Sequence, residues 1–207
     1  IIYILISIVT LIACETKKEV LNLPPVFSDH MVLQRETEVS FWGKSSPKEN
    51  IKITGSWGST SSVIADNNGK WQLKISTPSA GGPYEVVVND SKNSIIYKDV
   101  LIGEVWLASG QSNMQWKLNQ CKDCIDNQDD EIENANYNEI RFFNNPLDLS
   151  GTIINSQKWK TVNPEAASEM EDSFSTENYS AVGYFFAKEL YNDLNIPIGI
   201  IGSYWGG

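Results

Sequence analysis

The first hundred residues alternate between apolar and polar positions in short runs that are separated by turn residues. Runs that fit β-strands occupy residues 39–43, 51–55, 70–75 and 84–88. Turn residues lie between them as Ser-Ser-Pro at 45–47, Asp-Asn-Asn-Gly at 66–69 and Ala-Gly-Gly-Pro at 80–83. Short strands at roughly ten-residue spacing are typical of antiparallel sandwiches. We therefore predict an N-terminal antiparallel β-sandwich domain over residues 23–100.

The pattern changes near residue 100, where residues 100–110 form a mostly continuous apolar run. Such a run is typical of a strand buried on both faces of a parallel sheet. Residues 179–194 predict an amphipathic helix, whose apolar stripe contains Val182, Phe185, Phe186, Leu190 and Leu194. A second buried strand follows at 196–202. The order strand, helix, strand predicts an α/β domain with a parallel sheet over residues 101–207, with short helices and surface loops within 117–175.

The N-terminal residues 1–13 are uncharged and nearly all apolar. This stretch is too short to span a bilayer and fits the hydrophobic region of a secretory signal peptide, with a buried core element as the alternative. The residues Leu-Ile-Ala before Cys14 resemble the bacterial lipobox, in which the cysteine is acylated and holds the protein on a membrane. An ordinary signal sequence with an incidental cysteine is the other interpretation.

These features predict a lipoprotein signal peptide at 1–14, lipidation at Cys14 and a tether at 15–22. They also predict export to the bacterial periplasm or the cell surface. The chain starts with Ile and ends in an apolar run followed by glycines. We therefore expect a segment of a longer protein, with a truncated signal peptide and the C-terminal part of the α/β domain missing.

The composition limits the classes of molecule that this protein could bind. The net charge of −10 argues against nucleic acid, because phosphate binding needs a basic surface. Cys121 and Cys124 form a Cys-x-x-Cys pair that fits a redox pair, half of a zinc site or a local disulfide. In an exported protein the disulfide is favoured. We predict no metal site.

A candidate catalytic segment is Gly-Gln-Ser-Asn-Met, residues 110–114. Because this segment directly follows a predicted buried strand, Ser112 falls at the carboxyl end of the sheet, where open α/β folds place their sites. A nucleophilic serine needs exposure, a general base and donors for an oxyanion. Gly110 allows a tight turn before it. A Gly-x-Ser sequence alone more often begins a helix than carries catalysis, so further signals are required.

Further segments supply those signals. Together with the Ser112 segment, they resemble the sialate O-acetylesterase family, which belongs to the SGNH hydrolases. The segments are FSDHMVLQR at 27–35, GEVWLASGQSNM at 103–114, SAVGYFFA at 180–187 and PIGIIGSYWGG at 197–207. The likeness covers residues 23–207. It implies an SGNH-type α/β hydrolase domain after the β-sandwich. It further implies Ser112 as nucleophile and oxyanion donor, and Gly206 or Gly207 as a second donor.

The resemblance also implies what to expect outside these segments. The catalytic His and Asp should lie beyond Gly207, and His30, the only histidine, lies in a structural motif and has no catalytic role. We predict a serine esterase that removes O-acetyl groups from sialic acids or related acetylated glycans through an acetyl-enzyme, without a cofactor. The alternative is a surface glycan-binding lipoprotein with a non-catalytic α/β domain. A structural or interaction protein would leave the Ser112 segment unexplained.

Overall fold

A computed structural model describes residues 20–120, 125–145, 157–168 and 179–206. The strands in these ranges are β1 (Val32–Gln34), β2 (Glu38–Lys44), β3 (Asn50–Gly55), β4 (Thr60–Ile64), β5 (Lys70–Ser76), β6 (Gly81–Asn89), β7 (Ser94–Gly110), β8 (Tyr137–Asn144), β9 (Lys160–Val162) and β10 (Ile198–Tyr204). The helices are α1 (Ser112–Gln115), α2 (Gln128–Glu133), α3 (Pro164–Ser168) and α4 (Ala181–Leu194). The sheets contain both parallel and antiparallel pairs, so the α/β fold class is confirmed.

The N-terminal part has two β-layers. Strands β2 and β5 form an antiparallel ribbon, and β4, β3, β6 and the first half of β7 form an antiparallel sheet. Their inward side chains meet in one core, with Phe41 and Ile75 from the ribbon and Ile53 and Val88 from the sheet. Strands β3 and β5 alternate buried and exposed residues, and apolar burial on one face stabilises the pair of layers. The strands predicted in this part of the sequence are all present.

Strand β7 connects this part to the rest of the molecule. Its first half pairs antiparallel with β6, and residues Glu104 to Gly110 pair parallel with β10. The short β1 also pairs parallel with β7, at Leu101 to Gly103. The predicted domain division between residues 100 and 101 therefore falls inside one continuous strand. β7 belongs both to the antiparallel sheet and to the parallel one.

Strand β8 lies in a stretch for which the sequence predicted short helices and loops, and there the prediction was wrong. β8 pairs parallel with β10, so the parallel part of the sheet has the order β7, β10, β8. The apolar run Ile140 to Phe143 is interrupted by Arg141, which hides the strand in the sequence. Arg141 is only 4% exposed, and its buried charge is paired with a residue distant in the sequence, as described below.

Helix α4 confirms the predicted helix but not its predicted buried stripe. The buried residues are Ala181, Gly183, Tyr184 and Ala187, whereas Val182 is 50% exposed and Phe186 is 42% exposed. A Cβ on Gly183 would lie 3.2 Å from the Phe142 ring. Small residues beside the large Tyr184 therefore let the helix lie close to the sheet. Of the predicted stripe, Phe185 and Leu190 are partly buried against the core, and the others are exposed.

Candidate active site

Ser112 lies at the carboxyl end of β7. The strand ends at Gly110, and the exposed Ser112 is the first residue of α1. Gly110 has φ +153°, and a Cβ there would lie 3.2 Å from the Cβ of Met114. Because both the backbone angle and the space disfavour a side chain, the turn requires glycine. The turn directs the chain out of the sheet and leaves Ser112 at its edge.

The end of β10 lies beside this turn. Tyr204 is opposite Gly110 in the parallel register, and the Trp205 N–H donates to the Gly110 carbonyl over 3.0 Å. Gly206 follows, and a Cβ on it would lie 3.2 Å from the Cβ of Ser112. The fold therefore brings together two of the residues named from the sequence, Ser112 and Gly206, because their strands are neighbours in the sheet.

Gln115 also lies at this site, although the sequence pattern did not predict it. Its side-chain oxygen Oε1 accepts a hydrogen bond from the Gly206 N–H over 2.6 Å. The backbone donor expected to face an oxyanion is thus bonded to a side-chain amide in this structure. Gln115 lies three positions after Ser112, so the two residues are neighbours on one helical turn. That spacing is the sequence signal that would have found it.

Asn144 and Tyr204 form a second polar pair at the same edge of the sheet. Asn144 ends β8 and is buried, and the Tyr204 hydroxyl donates to its Oδ1 over 2.9 Å. Burial raises the pKa of Tyr204 to about 12, so the phenol stays protonated at neutral pH and acts as a donor. This pair was missed because β8 itself was missed.

The N-terminus of α4 fixes the segment after α1. Ser180 is the N-cap of α4, and its hydroxyl accepts from the Gly183 N–H over 3.1 Å. The neighbouring Ala181 N–H donates to the Trp116 carbonyl over 2.8 Å. The short helix that carries Ser112 is thereby held between β7 and α4.

His30 lies beside the first half of β7. Its Nδ1 is 2.6 Å from Oδ2 of Asp99, and Asp99 and Gly110 are far apart on the same strand. At about 3.3 Å per residue, these positions are separated by roughly 35 Å along the strand. His30 is therefore out of reach of the Ser112 hydroxyl.

Arg141 completes the cluster around Asp99. Its guanidinium donates to the carbonyls of His30 and Asp99 and to Oδ2 of Asp99, the last over 2.9 Å. Burial favours a higher pKa for the Asp99 carboxyl, but the hydrogen bonds from His30 and Arg141 outweigh it, so the pKa is lowered. This cluster joins β8 to the loop before β1 and is structural.

The Ser112 hydroxyl has a different environment. Within the described parts of the chain, no side chain forms a hydrogen bond with it. Gly206 lies against Ser112, and its N–H is bonded to the Gln115 side chain. Acyl transfer uses an exposed hydroxyl at the carboxyl ends of parallel strands together with backbone N–H donors for the oxyanion.

Comparison with known proteins identifies relatives of this chain. The sialate O-acetylesterase of Mus musculus is 30% identical over 195 residues, which are 86% of this chain and 35% of that protein. The Pongo abelii sialate O-acetylesterase is 32% identical over 197 residues, or 87% of this chain and 36% of that protein. The chain is similar to the sialate O-acetylesterase family over most of its length. It spans about a third of the length of these relatives. A scan of the chain against protein-family models finds no match.

A solved structure supports the same assignment. A carbohydrate acetylesterase from Xanthomonas citri matches with a TM-score of 0.77 and 37% identity over 90% of this chain and 41% of that one. The predicted resemblance to the sialate O-acetylesterase family is therefore confirmed in both sequence and fold.

The first of the family-like segments, residues 27–35, lies along β7. Asp29 accepts a hydrogen bond from the Lys98 N–H over 2.7 Å. Farther along, Gln34 and Arg35 bind the Glu104 carboxylate over 3.1 and 2.8 Å. The Arg35 hydrogen bond, with that of Gln34, lowers the pKa of Glu104. These contacts give the segment a role in attaching β1 to β7.

Several predicted features lie outside the described residues, namely Cys14, Cys121, Cys124 and Gly207. Of the helices in the described ranges, none is long and apolar enough to cross a membrane. The described residues also contain no group of three His, Cys, Asp or Glu side chains placed to hold a metal ion.

Proposed function

We propose that this protein takes part in removing O-acetyl groups from sugars, with sialic acids as one substrate class and Ser112 as the nucleophile. The observation that carries the proposal is the exposed Ser112 at the end of β7 with the Gly206 backbone against it. The similarity to sialate O-acetylesterases and to a carbohydrate acetylesterase supports the reaction class. A sugar acetate is an ester, and an exposed serine can accept its acetyl group.

The reaction would proceed in two steps. The Ser112 Oγ attacks the acetyl carbonyl carbon while a base takes its proton, and the resulting oxyanion is bound by backbone N–H groups. The carbon–oxygen bond to the sugar then breaks, the sugar oxygen takes a proton, and the acetyl group remains on Ser112. Water attacks this ester, releases acetate and restores the hydroxyl.

The Ser112 and Gly206 N–H groups would bind the oxyanion, with Gly207 as a further candidate. For Gly206 this requires an exchange of partners, because its N–H donates to Gln115 Oε1 over 2.6 Å. The developing negative charge is the stronger acceptor, since hydrogen bonds to ionised oxygen are about twice as strong as neutral ones. Gln115 would therefore hold the donor in place until the oxyanion forms.

The general base and its orienting acid would come from an Asp-x-x-His segment of the longer protein, as the family resemblance implies. His30 is bonded to Asp99, roughly 35 Å along β7 from the Ser112 turn. Residues 15–207 expressed alone should therefore release no acetate at a useful rate. Brisk release that depends on Ser112 would show that a base lies within this sequence.

The decisive experiment compares Ser112→Ala with Ser109→Ala in the full-length protein. Ser109 is also exposed and lies near the end of β7, so it is a matched control. Acetate release from an O-acetylated sialic acid and from acetylated xylan should fall by about four or more orders of magnitude in Ser112→Ala only. A variant Ser112→Ala with near-normal turnover would contradict the assignment.

We also propose that Cys14 carries the lipid anchor and that the protein is held on a membrane facing the periplasm or the cell exterior. Its support is the position of Cys14 directly after the apolar residues 1–13. The full-length Cys14→Ser variant should move from the membrane fraction to the soluble fraction. A variant that stays in the membrane fraction to the wild-type extent would refute the anchor.

A further inference from the structure

The outer face of the β2–β5 ribbon combines an exposed tryptophan with lysines. The two strands pair antiparallel, with Trp42 opposite Gln72 and Lys44 opposite Lys70. Residues that are directly opposite in such a pair point to the same face. The other face carries the buried Phe41, Leu73 and Ile75, so these four side chains lie on the outside.

Trp42 is held in place although much of it is exposed. Its ring packs edge-on against Phe27, with 4.7 Å between ring centroids and 78° between planes. The side chain nevertheless remains 44% exposed. A fixed, exposed indole presents a flat apolar surface without a large entropy cost on binding, which is the reason tryptophan is frequent at recognition sites.

A cavity adjoins this face. It has a volume of about 580 Å³ and is lined by Trp42, Lys44, Lys70, Gln72, Asn22 and Pro24, among others. This volume lies within the range of about 300–1,000 Å³ that is usual for ligand sites. Its wall combines an aromatic ring with amide and ammonium groups, which suits a ligand that has an apolar ring face and many hydroxyls.

The charge of this face differs from that of the whole chain. The chain has a net charge of −10, yet Lys44, Lys70 and the nearby Lys74 lie together on the outside of the ribbon. No ion pair to any of these three ammonium groups occurs within the part of the chain that the structure describes. Glu38 is on the same face, at the far end of β2. The unpaired positive charge next to Trp42 favours an anionic ligand.

We propose that the outer face of the β2–β5 ribbon binds a carboxylate-bearing sugar chain. Trp42 packs on the C–H face of one sugar ring, Lys44 and Lys70 pair with carboxylates, and Gln72 and Asn22 bond to hydroxyls. The site is separate from Ser112 and needs no catalysis. Held on the same chain as the esterase domain, it raises the local concentration of glycan near that domain.

The test is a calorimetric titration of the full-length Ser112→Ala protein with an oligosaccharide of sialic acid that carries no O-acetyl groups. This probe is not a substrate, so its binding is independent of the proposed activity, and acetate release by the wild type is measured separately. We expect binding that weakens with salt, and no binding of a neutral glucose oligomer of equal length. Absence of binding by the sialic acid oligomer would overturn the proposal.

Variants locate the site. Trp42→Ala and Lys70→Glu should each weaken binding by about tenfold or more, whereas Trp42→Phe should retain most of it. Lys52→Glu on β3 changes the net charge equally and has an exposed side chain outside the ribbon, so its affinity should stay within about twofold of the parent. Circular dichroism confirms that each variant is folded. Unchanged binding by Trp42→Ala would overturn the proposal.

The same lysines fit a membrane surface as a competing partner. Vesicles of phosphatidylglycerol are therefore included in a sedimentation assay with the Ser112→Ala protein and with its Lys70→Glu and Trp42→Ala derivatives. Vesicle binding that needs Lys70 but not Trp42, together with no binding of the sialic acid oligomer, would assign the face to lipid and reject the sugar site.

Discussion

Two positions along β7 carry polar residues with opposite environments. Around Asp99, in the first half of the strand, a carboxylate, the His30 ring and the Arg141 guanidinium satisfy one another and two carbonyl groups. At the Ser112 end, the hydroxyl is exposed and bonded to no side chain among the described residues, and backbone groups of glycine lie beside it. Satisfied polar groups fix a structure, whereas an exposed hydroxyl beside backbone donors remains available for a substrate.

The single histidine follows the same division. The family resemblance gives His30 no catalytic role, and its ring nitrogen is bonded to Asp99, far along β7 from Ser112. The structure therefore assigns it to the cluster that joins β8 to the loop before β1. Polar side chains along β7 therefore differ in role. Those around Asp99 hold the fold together, and Ser112 at the carboxyl end stays exposed.

The largest effect is expected in the cluster around Asp99, from Arg141→Ala. The carbonyls of His30 and Asp99 and the Asp99 carboxylate lose their donor, and a hydrogen bond that involves a charged group contributes about 1.5–3 kcal/mol. We expect the free energy of unfolding to fall by about 3 kcal/mol, measured by urea denaturation. Arg141→Lys should recover only part of this, since an ammonium lacks the planar fork that reaches all three acceptors. Wild-type stability of Arg141→Ala would contradict the structural role.

At the Ser112 site, Gly206→Ala should affect activity more than stability. The added Cβ would lie 2.6 Å from Gln115 Oε1 and 3.1 Å from the Cα of Ser112. Because a displacement of about 1 Å can cost 10²-fold, we expect kcat to fall by about that factor in the full-length protein. Gln115→Ala removes the competing acceptor, so kcat should stay within about tenfold of the wild type. Undiminished kcat in Gly206→Ala would place the donor elsewhere.

A smaller, pH-dependent effect is expected for Glu104, midway along β7. Its folded-state pKa is lowered from 4.5, chiefly by the hydrogen bond from Arg35. The stabilisation is therefore present above pH 4.5 and is lost as the pH falls through the folded-state pKa. Glu104→Gln should lower the melting temperature at pH 7. The difference in melting temperature between this variant and the wild type should become smaller below pH about 4. A difference that is constant with pH would show that the carboxylate charge does not contribute.

The smallest effect is expected for His30→Ala. The ring is largely exposed, and its pairing with Asp99 is a surface interaction worth less than about 1 kcal/mol. In the full-length enzyme, kcat/KM should change by no more than about twofold, because the ring is roughly 35 Å along the strand from Ser112. A loss comparable to that of Ser112→Ala would mean that the cluster around Asp99 and the Ser112 site are functionally connected.

The sequence predicted those elements whose apolar pattern is local. The strands β2, β3, β5 and β6 alternate with period two, β7 and β10 are continuous apolar runs, and α4 begins at a serine N-cap. Strand β8 was not predicted because Arg141 interrupts its apolar run, and the partner that neutralises this residue is Asp99 on another strand. The predicted stripe of α4 was wrong for Val182, Phe186 and Leu194, which are exposed. The small Ala181, Gly183 and Ala187, with Tyr184, form the buried face because they allow a close approach to the sheet.

Local sequence is enough to specify the alternation that makes the β-layers, the glycine turn before Ser112 and the family resemblance, because each depends on neighbouring residues. Three contacts follow only from the fold: Gly206 lies against Ser112, the Gly206 N–H is bonded to Gln115, and His30 is bonded to Asp99. These contacts depend on strand order and register, with β10 placed between β7 and β8. Register is set by the packing of whole strands against one another, which no single stretch of sequence contains.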